Sequence, residues 1–110
     1  MTYDPASTFA SGAWRLTTIC DDHGVSRYEG TIEFTSGRVT GHSDEFRLDG
    51  VYDAITGQCA FTLTKSDQDE VEHWDGVADG AAIVGSFRDA IPLRNRKGPC
   101  RGPFFMQRVL

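Results

Sequence analysis

The side chains best suited to acid–base chemistry or metal binding fall in the stretch His73-Trp74-Asp75. His73 and Asp75 are two residues apart, so in a strand they share one face. There they could act as a base with its orienting carboxylate, or as two metal ligands. The alternative is a polar outer face with Trp74 turned inward, and the inner register of the neighbouring strands favours it. We therefore predict no catalytic residue, no metal site and no cofactor.

Two carboxylates, Glu70 and Glu72, share the two-residue register of Trp74. If they point inward, at least one of them enters an apolar interior and its pKa should rise. If the strand begins late, both lie at the rim, and this is the arrangement we favour. Ser43 and Ser86 have no adjacent histidine in register, so no nucleophile dyad can be named and an enzyme is not favoured.

The three cysteines, Cys20, Cys59 and Cys100, form no C-x-x-C pair and lack the ligand spacing of a zinc finger. Three reduced thiols in a cytosolic protein are the favoured interpretation, and a disulfide between two of them is the alternative. Cys20 and Cys59 alternate with apolar residues, which indicates core thiols and not nucleophiles. We therefore expect a cytoplasmic protein.

Charge is distributed unevenly along the 110 residues, whose formal net charge is −5. All 16 acids lie in residues 1–89, whereas residues 90–110 hold five bases and no acid. This balance predicts no nucleic-acid binding, and no run approaches the ~18 apolar residues of a membrane span. Four bases lie in a Pro/Gly-interrupted connection that is either a plain solvated loop or a docking loop for an anionic partner: Arg94, Arg96, Lys97 and Arg101.

Eight short segments of alternating apolar and polar residues, cut by turn signals, predict an all-β fold. Tight turns join most of them, which favours a single eight-stranded antiparallel up-and-down β-barrel over a two-sheet sandwich. Residues 1–11 form a short N-terminal arm and residues 12–110 the barrel domain. The strands are expected at about 13–21, 25–35, 38–43, 45–53, 58–64, 70–77, 81–88 and 103–110.

Closure of the barrel would bring the first and last strands together, with the Arg108 guanidinium over the Trp14 ring, a contact worth roughly 0.5–2 kcal/mol. Glycines on the inner face are either kinks that let coiled strands bend or space for ligand atoms. We expect aromatic residues to line a cavity for one small, largely apolar molecule. These are Trp14, Tyr28, Phe46, Tyr52, Phe61, Trp74 and Phe87.

Gly12-Ala13-Trp14 near the start and Gly-x-Phe-x-Met-x-Arg over residues 102–108 resemble the terminal strands of the calycin group, which includes lipocalins and avidins. The resemblance implies a lipocalin-like barrel. It does not extend to the biotin contacts of avidins, because Leu16 stands where a polar residue is expected.

A closer local pattern runs from Gly30 through Gly41 to Tyr52. It resembles small bacterial β-barrel proteins related to a negative regulator of type III secretion, over about residues 12–65. That resemblance implies a barrel with an apolar cavity and binding of a protein partner.

Three functions follow from these patterns. The favoured one is a non-catalytic barrel that binds a small apolar molecule in its lumen. The alternatives are a regulatory module that binds a protein partner or forms a homodimer, and a cofactor-free cyclase or isomerase that uses the cavity.

Overall fold

A computed structural model of the chain describes residues 8–20, 24–66, 71–90 and 100–109. The strands pair antiparallel in chain order, and β1 pairs with β8 to close the barrel. The predicted all-β, up-and-down architecture is therefore confirmed. The strands are β1 (Gly12–Cys20), β2 (Gly24–Thr35), β3 (Arg38–His42), β4 (Phe46–Tyr52), β5 (Gln58–Lys65), β6 (Val71–Asp79), β7 (Ala82–Asp89) and β8 (Arg101–Arg108).

The two-residue alternation in the sequence decides which side chains fill the barrel. On β2, Ile32 and Phe34 are buried while the intervening Glu33 is exposed. Every strand has this pattern, because successive side chains of a strand point to opposite faces of the sheet. The interior is therefore almost entirely apolar and aromatic, and the outer wall carries the charge.

Closure rests on the register between β1 and β8, in which Trp14 lies opposite Arg108 and Leu16 opposite Met106. Trp14, Leu16 and Met106 are completely buried. The Trp14 indole Nε1 donates a hydrogen bond to the carbonyl oxygen of Ala10 at 2.8 Å, which satisfies its polar atom. The first and last strands thus meet around a buried indole. Stacking of the exposed Arg108 guanidinium on that ring stays a prediction.

The chain just before β1 covers one end of the barrel. The Phe9 ring packs against Tyr52 at 4.6 Å and Phe34 at 5.5 Å between ring centroids. The buried Thr8 hydroxyl donates a hydrogen bond to the carbonyl oxygen of Gly80, and Ser11 Oγ accepts one from the Phe34 N–H at 3.0 Å. We call this end, where β1 begins and β8 ends, the capped end.

Two inner-face glycines mark places where neighbouring strands approach too closely for a side chain. A Cβ added at Gly50 would overlap the carbonyl oxygen of Ala60, and one added at Gly85 would overlap that of Asp75. These clashes are with backbone atoms, which cannot move aside cheaply. At these positions the glycines therefore act as barrel kinks and not as space for a ligand.

The cysteines correct the expectation of three reduced thiols. Cys20 at the end of β1 and Cys100 beside the start of β8 form a disulfide with a Cα–Cα distance of 5.7 Å and a sequence separation of 80. In the chain-entropy account, closing a loop of that length stabilises the fold by about 4–5 kcal/mol. Composition could not identify this pair, because the closure of β1 on β8 is what brings the two residues together. Cys59 is free and buried.

The disulfide predicts a specific thiol count. Denatured without reductant, the chain should show one reactive thiol, Cys59, and after reduction it should show three. Before denaturation Cys59 should react slowly, because burial first and the Asp75 charge second raise the pKa of its thiol to about 12. Titration with a thiol reagent gives the count, and three thiols without reductant would contradict the pairing.

Candidate binding site at the polar end of the barrel

The end opposite the capped end, where β1 ends and β8 begins, differs in chemistry from the rest of the interior. Three charged side chains enter it from the inner faces of β5, β6 and β7: Lys65, Glu72 and Asp89. Each follows the alternation of its strand, so the register that fills the core also turns these groups inward. We call this end the polar end.

Glu72 is the central group of the polar end. Its side chain is only 3% exposed, and it lies 3.4 Å from Lys65 as an ion pair (Oε2 to Nζ). Its other oxygen, Oε1, accepts a hydrogen bond from the indole Nε1 of Trp74 at 3.1 Å. The expectation that Glu72 lies at the rim is therefore wrong: β6 starts at Val71, and Glu72 is already within the ladder opposite Leu63. Glu70 lies outside the described residues.

Lys65 connects this carboxylate to an aromatic pair. Its Nζ lies 5.9 Å from the centroid of the Tyr28 ring, within cation–π range. Tyr28 in turn meets Phe46 edge-on at 6.2 Å between centroids. Tyr28 is only half-buried, whereas Phe46 is buried. The polar end thus combines a charged pair, an indole and two aromatic rings, one of which reaches solvent.

The environment of Glu72 raises the pKa of its carboxyl. Burial is the largest influence and raises the pKa of the carboxyl above its ordinary value near 4.5. The Lys65 charge and the Trp74 hydrogen bond oppose the shift, while the nearby Asp89 adds to it. The net direction is upward because a carboxylate loses more by leaving water than one partly exposed lysine restores. A rise for an inward carboxylate is what the sequence predicted.

The last strand is tied to this site beside the disulfide. The Cys100 N–H donates a hydrogen bond to Asp89 Oδ2 at 2.8 Å, and the Asp89 N–H donates one to the Cys100 carbonyl oxygen at 2.9 Å. Asp89 also lies directly opposite Glu72 in the β6–β7 ladder. The site is therefore held by both backbone pairing and a covalent cross-link.

The seven aromatic residues predicted to line one cavity divide into three groups, each of which packs internally. Ring-centroid distances within the groups run from 4.6 to 6.2 Å. Two of the groups contact the Glu72–Lys65 pair, one through Trp74 and the other through Tyr28. The groups are Trp14 and Tyr52 with Phe9 and Phe34; Phe61, Trp74 and Phe87 with Phe104; and Tyr28 with Phe46.

The remaining predicted site residues lie elsewhere. His73 and Asp75 face outward and Trp74 inward, as the favoured interpretation had it. Arg101 begins β8 and is exposed. The other three loop bases, Arg94, Arg96 and Lys97, lie outside the described residues.

Sequence reasoning missed Lys65 and Phe9. Lys65 continues the inward series of Cys59, Phe61 and Leu63 by two residues, a signal that its charge obscured. Phe9 precedes the first strand, so no alternation marks it as part of the core.

Within the described ranges, no three His, Cys, Asp or Glu side chains are grouped so that they could hold a metal ion. In the same ranges, no helix is long and apolar enough to cross a membrane.

Comparison of the chain with known protein families, with curated proteins and with solved structures finds no match in any of the three. The closed eight-stranded barrel, consistent in shape with the calycin group, is therefore defined by its own geometry.

The raised pKa of Glu72 predicts how stability varies with pH. A carboxyl whose pKa is higher in the folded than in the unfolded state stabilises the fold below the unfolded value, and this contribution is lost as pH rises through the folded value. The free energy of unfolding of the native chain, relative to that of Glu72→Gln, should therefore fall as the pH rises above the ordinary carboxyl pKa near 4.5. Urea unfolding at a series of pH values measures it.

Glu33→Gln, on the exposed face of β2, is the matched control for the loss of one carboxylate. A native-minus-Glu72→Gln difference that grows with rising pH would contradict the assignment, because it would mean that Lys65 outweighs burial.

Proposed function

We propose that the protein is a non-catalytic binding barrel that takes a small, largely apolar molecule at its polar end. The body of the ligand would contact Tyr28 and Phe46, and one hydrogen-bonding group would meet Glu72 and Lys65. The observation that carries the proposal is the pair formed by the buried Glu72 and the partly exposed Lys65, placed among aromatic rings at the end of the barrel opposite the capped end.

Energetics support a functional role for this pair. Replacing a buried ion pair by well-packed apolar residues is often neutral or stabilising by about 1–4 kcal/mol, so stability alone does not require it. Binding sites, in contrast, are mostly apolar with a few convergent polar groups that orient the ligand. Glu72 and Lys65 are such groups, and the half-buried Tyr28 provides an aromatic surface beside them.

Packing favours the polar end over the deep lumen. The rings of Trp74 and Phe104 lie only 4.6 Å apart between centroids, and Phe61 and Phe87 pack around them. A ligand at mid-barrel would have to displace these buried rings. At the polar end, the described side chains Tyr28 and Lys65 are already partly exposed, so a ligand would reach them with less displacement of buried rings.

Binding of a protein partner is the second candidate, and one observation favours it. On the outer wall, Val77, Val84 and Phe105 lie side by side on β6, β7 and β8, and Val77 and Phe105 are 43% and 40% exposed. The resemblance of residues 12–65 to the secretion-regulator barrels would imply such a role. A homodimer through this row is the simplest form of it, because a two-fold axis sets one apolar row against its copy.

The proposed location in the cytoplasm depends on the thiols. The sequence favoured that compartment on the assumption that all three cysteines are reduced. The Cys20–Cys100 disulfide removes that support, since structural disulfides persist mainly in oxidising compartments. The cytoplasmic location stays a prediction without that support. Counting the free thiols of protein isolated from its source would test it, since three free thiols would favour the cytoplasm and one would favour an oxidising compartment.

A neutral fluorescent probe tests the proposed binding function. N-phenyl-1-naphthylamine has an apolar aromatic body and one N–H donor, so it should bind the full chain at one saturable site. A hydrogen bond to a charged group is worth roughly 1.5–3 kcal/mol, so Glu72→Gln should lower the affinity for the probe by about tenfold. Fluorescence titration measures both affinities.

Two half-buried tyrosines at opposite ends of the barrel provide the matched pair. Tyr28→Leu should lower the affinity for the probe, whereas Tyr52→Leu, at the capped end, should leave that affinity unchanged. Cooperative unfolding of both variants is the check that they fold. Equal losses in the two variants, or no saturable binding by the native chain, would rule out a site at the polar end.

A further inference from the structure

We propose that Arg88, Arg101 and His73 form a binding site for a phosphate group on the outer wall of the barrel, separate from the polar end of the interior. The three residues lie side by side on adjacent strands, since His73 on β6 is opposite Arg88 on β7, and Arg88 is opposite Arg101 on β8. A surface depression of about 410 Å³ is lined by all three.

The register turns all three side chains to the same side of the sheet. Phe87 and Trp74, the chain neighbours of Arg88 and His73, are buried in the core, so Arg88 and His73 must face outward. Both arginines are exposed and His73 is half-buried. The row therefore presents two guanidinium groups and an imidazole toward one opening.

Direct opposition of Arg88 and Arg101 is unfavourable without an anion. Like charges directly across a ladder destabilise the sheet. Elsewhere on the described wall, Arg15 pairs with Glu29 at 3.2 Å and Arg38 with Asp49 at 3.4 Å. Between described residues, neither Arg88 nor Arg101 forms such a pair.

Among the described residues, one acid borders the depression. Asp75 lies two residues from His73 on the same strand and faces Ser86 across the ladder. It therefore belongs to the next row, and the arginine row keeps an excess of positive charge. The Ser86 hydroxyl, which also lines the depression, adds a neutral hydrogen-bonding group.

A phosphate group fits this arrangement better than a single carboxylate. The planar fork of each guanidinium matches phosphate oxygens in a bidentate manner, and two arginines side by side can share one dianion. The His73 imidazole can add a further N–H donor. Pro103 lines the same depression, so a phosphate monoester with a small organic group can be accommodated beside the charge.

Thermal unfolding of the full chain in inorganic phosphate tests the proposal. A ligand that binds only the folded state raises the midpoint as its concentration rises. Phosphate should therefore raise the midpoint of the native chain more than chloride at equal ionic strength. The Arg88→Ser, Arg101→Ser double variant should lose at least about tenfold in phosphate affinity, since two charge-assisted hydrogen-bonding groups are removed. In phosphate-free buffer the same variant should be no less stable than the native chain.

The matched control is Arg27→Ser, which removes one exposed arginine from the outer face of β2 and should keep the phosphate response. An equal response in the native chain and the double variant would overturn the proposal, as would an equal effect of chloride. Sedimentation at low salt distinguishes phosphate from a second copy of the chain as the occupant of this site. A dimer that phosphate dissociates would assign the two arginines to contact with a second copy and would likewise overturn the proposal.

Discussion

The pairing of β1 with β8 is the contact on which the other features of this barrel depend. It places the buried Trp14 between the first and last strands, and it brings Cys20 within disulfide reach of Cys100. Without it, both edge strands would expose unpaired backbone groups, which a closed barrel avoids. Closure also gives the barrel two ends of different character. The chain before β1 covers the capped end. At the polar end, the inner faces of β5, β6 and β7 carry Lys65, Glu72 and Asp89.

Charge inside an apolar barrel is the second constraint. The Glu72 carboxylate accepts a hydrogen bond from the Trp74 indole and pairs with the Lys65 ammonium. Together these two contacts stabilise its charge less than full hydration would. Its raised pKa is the direct result of that deficit. A ligand that donates a hydrogen bond would supply a further partner, so ligand binding and the ionisation of Glu72 are coupled in this account. On the outer wall, Arg88 and Arg101 face each other, with no neutralising acid among the described residues between them. An anion bound there would relieve their repulsion.

The sequence was sufficient for the architecture, since alternation is a local property. Tyr28, Ile32 and Phe34 mark one face of β2 without any knowledge of the other strands, and the eight strands appear within a few residues of their expected bounds. The meeting of the first and last strands was also predicted, but specific side-chain pairs between distant segments were not. The Cys20–Cys100 pair and the Glu72–Lys65 pair both require the register between strands. The packing of the seven interior aromatic residues into three groups follows from side-chain volumes in three dimensions, which spacing along the chain does not encode.

Amide chemical-shift mapping of the full chain with N-phenyl-1-naphthylamine tests the central claim most directly, because it locates the occupied end of the barrel residue by residue. The account predicts that shift changes cluster at Tyr28, Phe46, Lys65 and Glu72, while the amides of Phe9 and Phe34 at the capped end stay unchanged. Shift changes centred on Phe9 and Phe34, or confined to the outer wall, would contradict it.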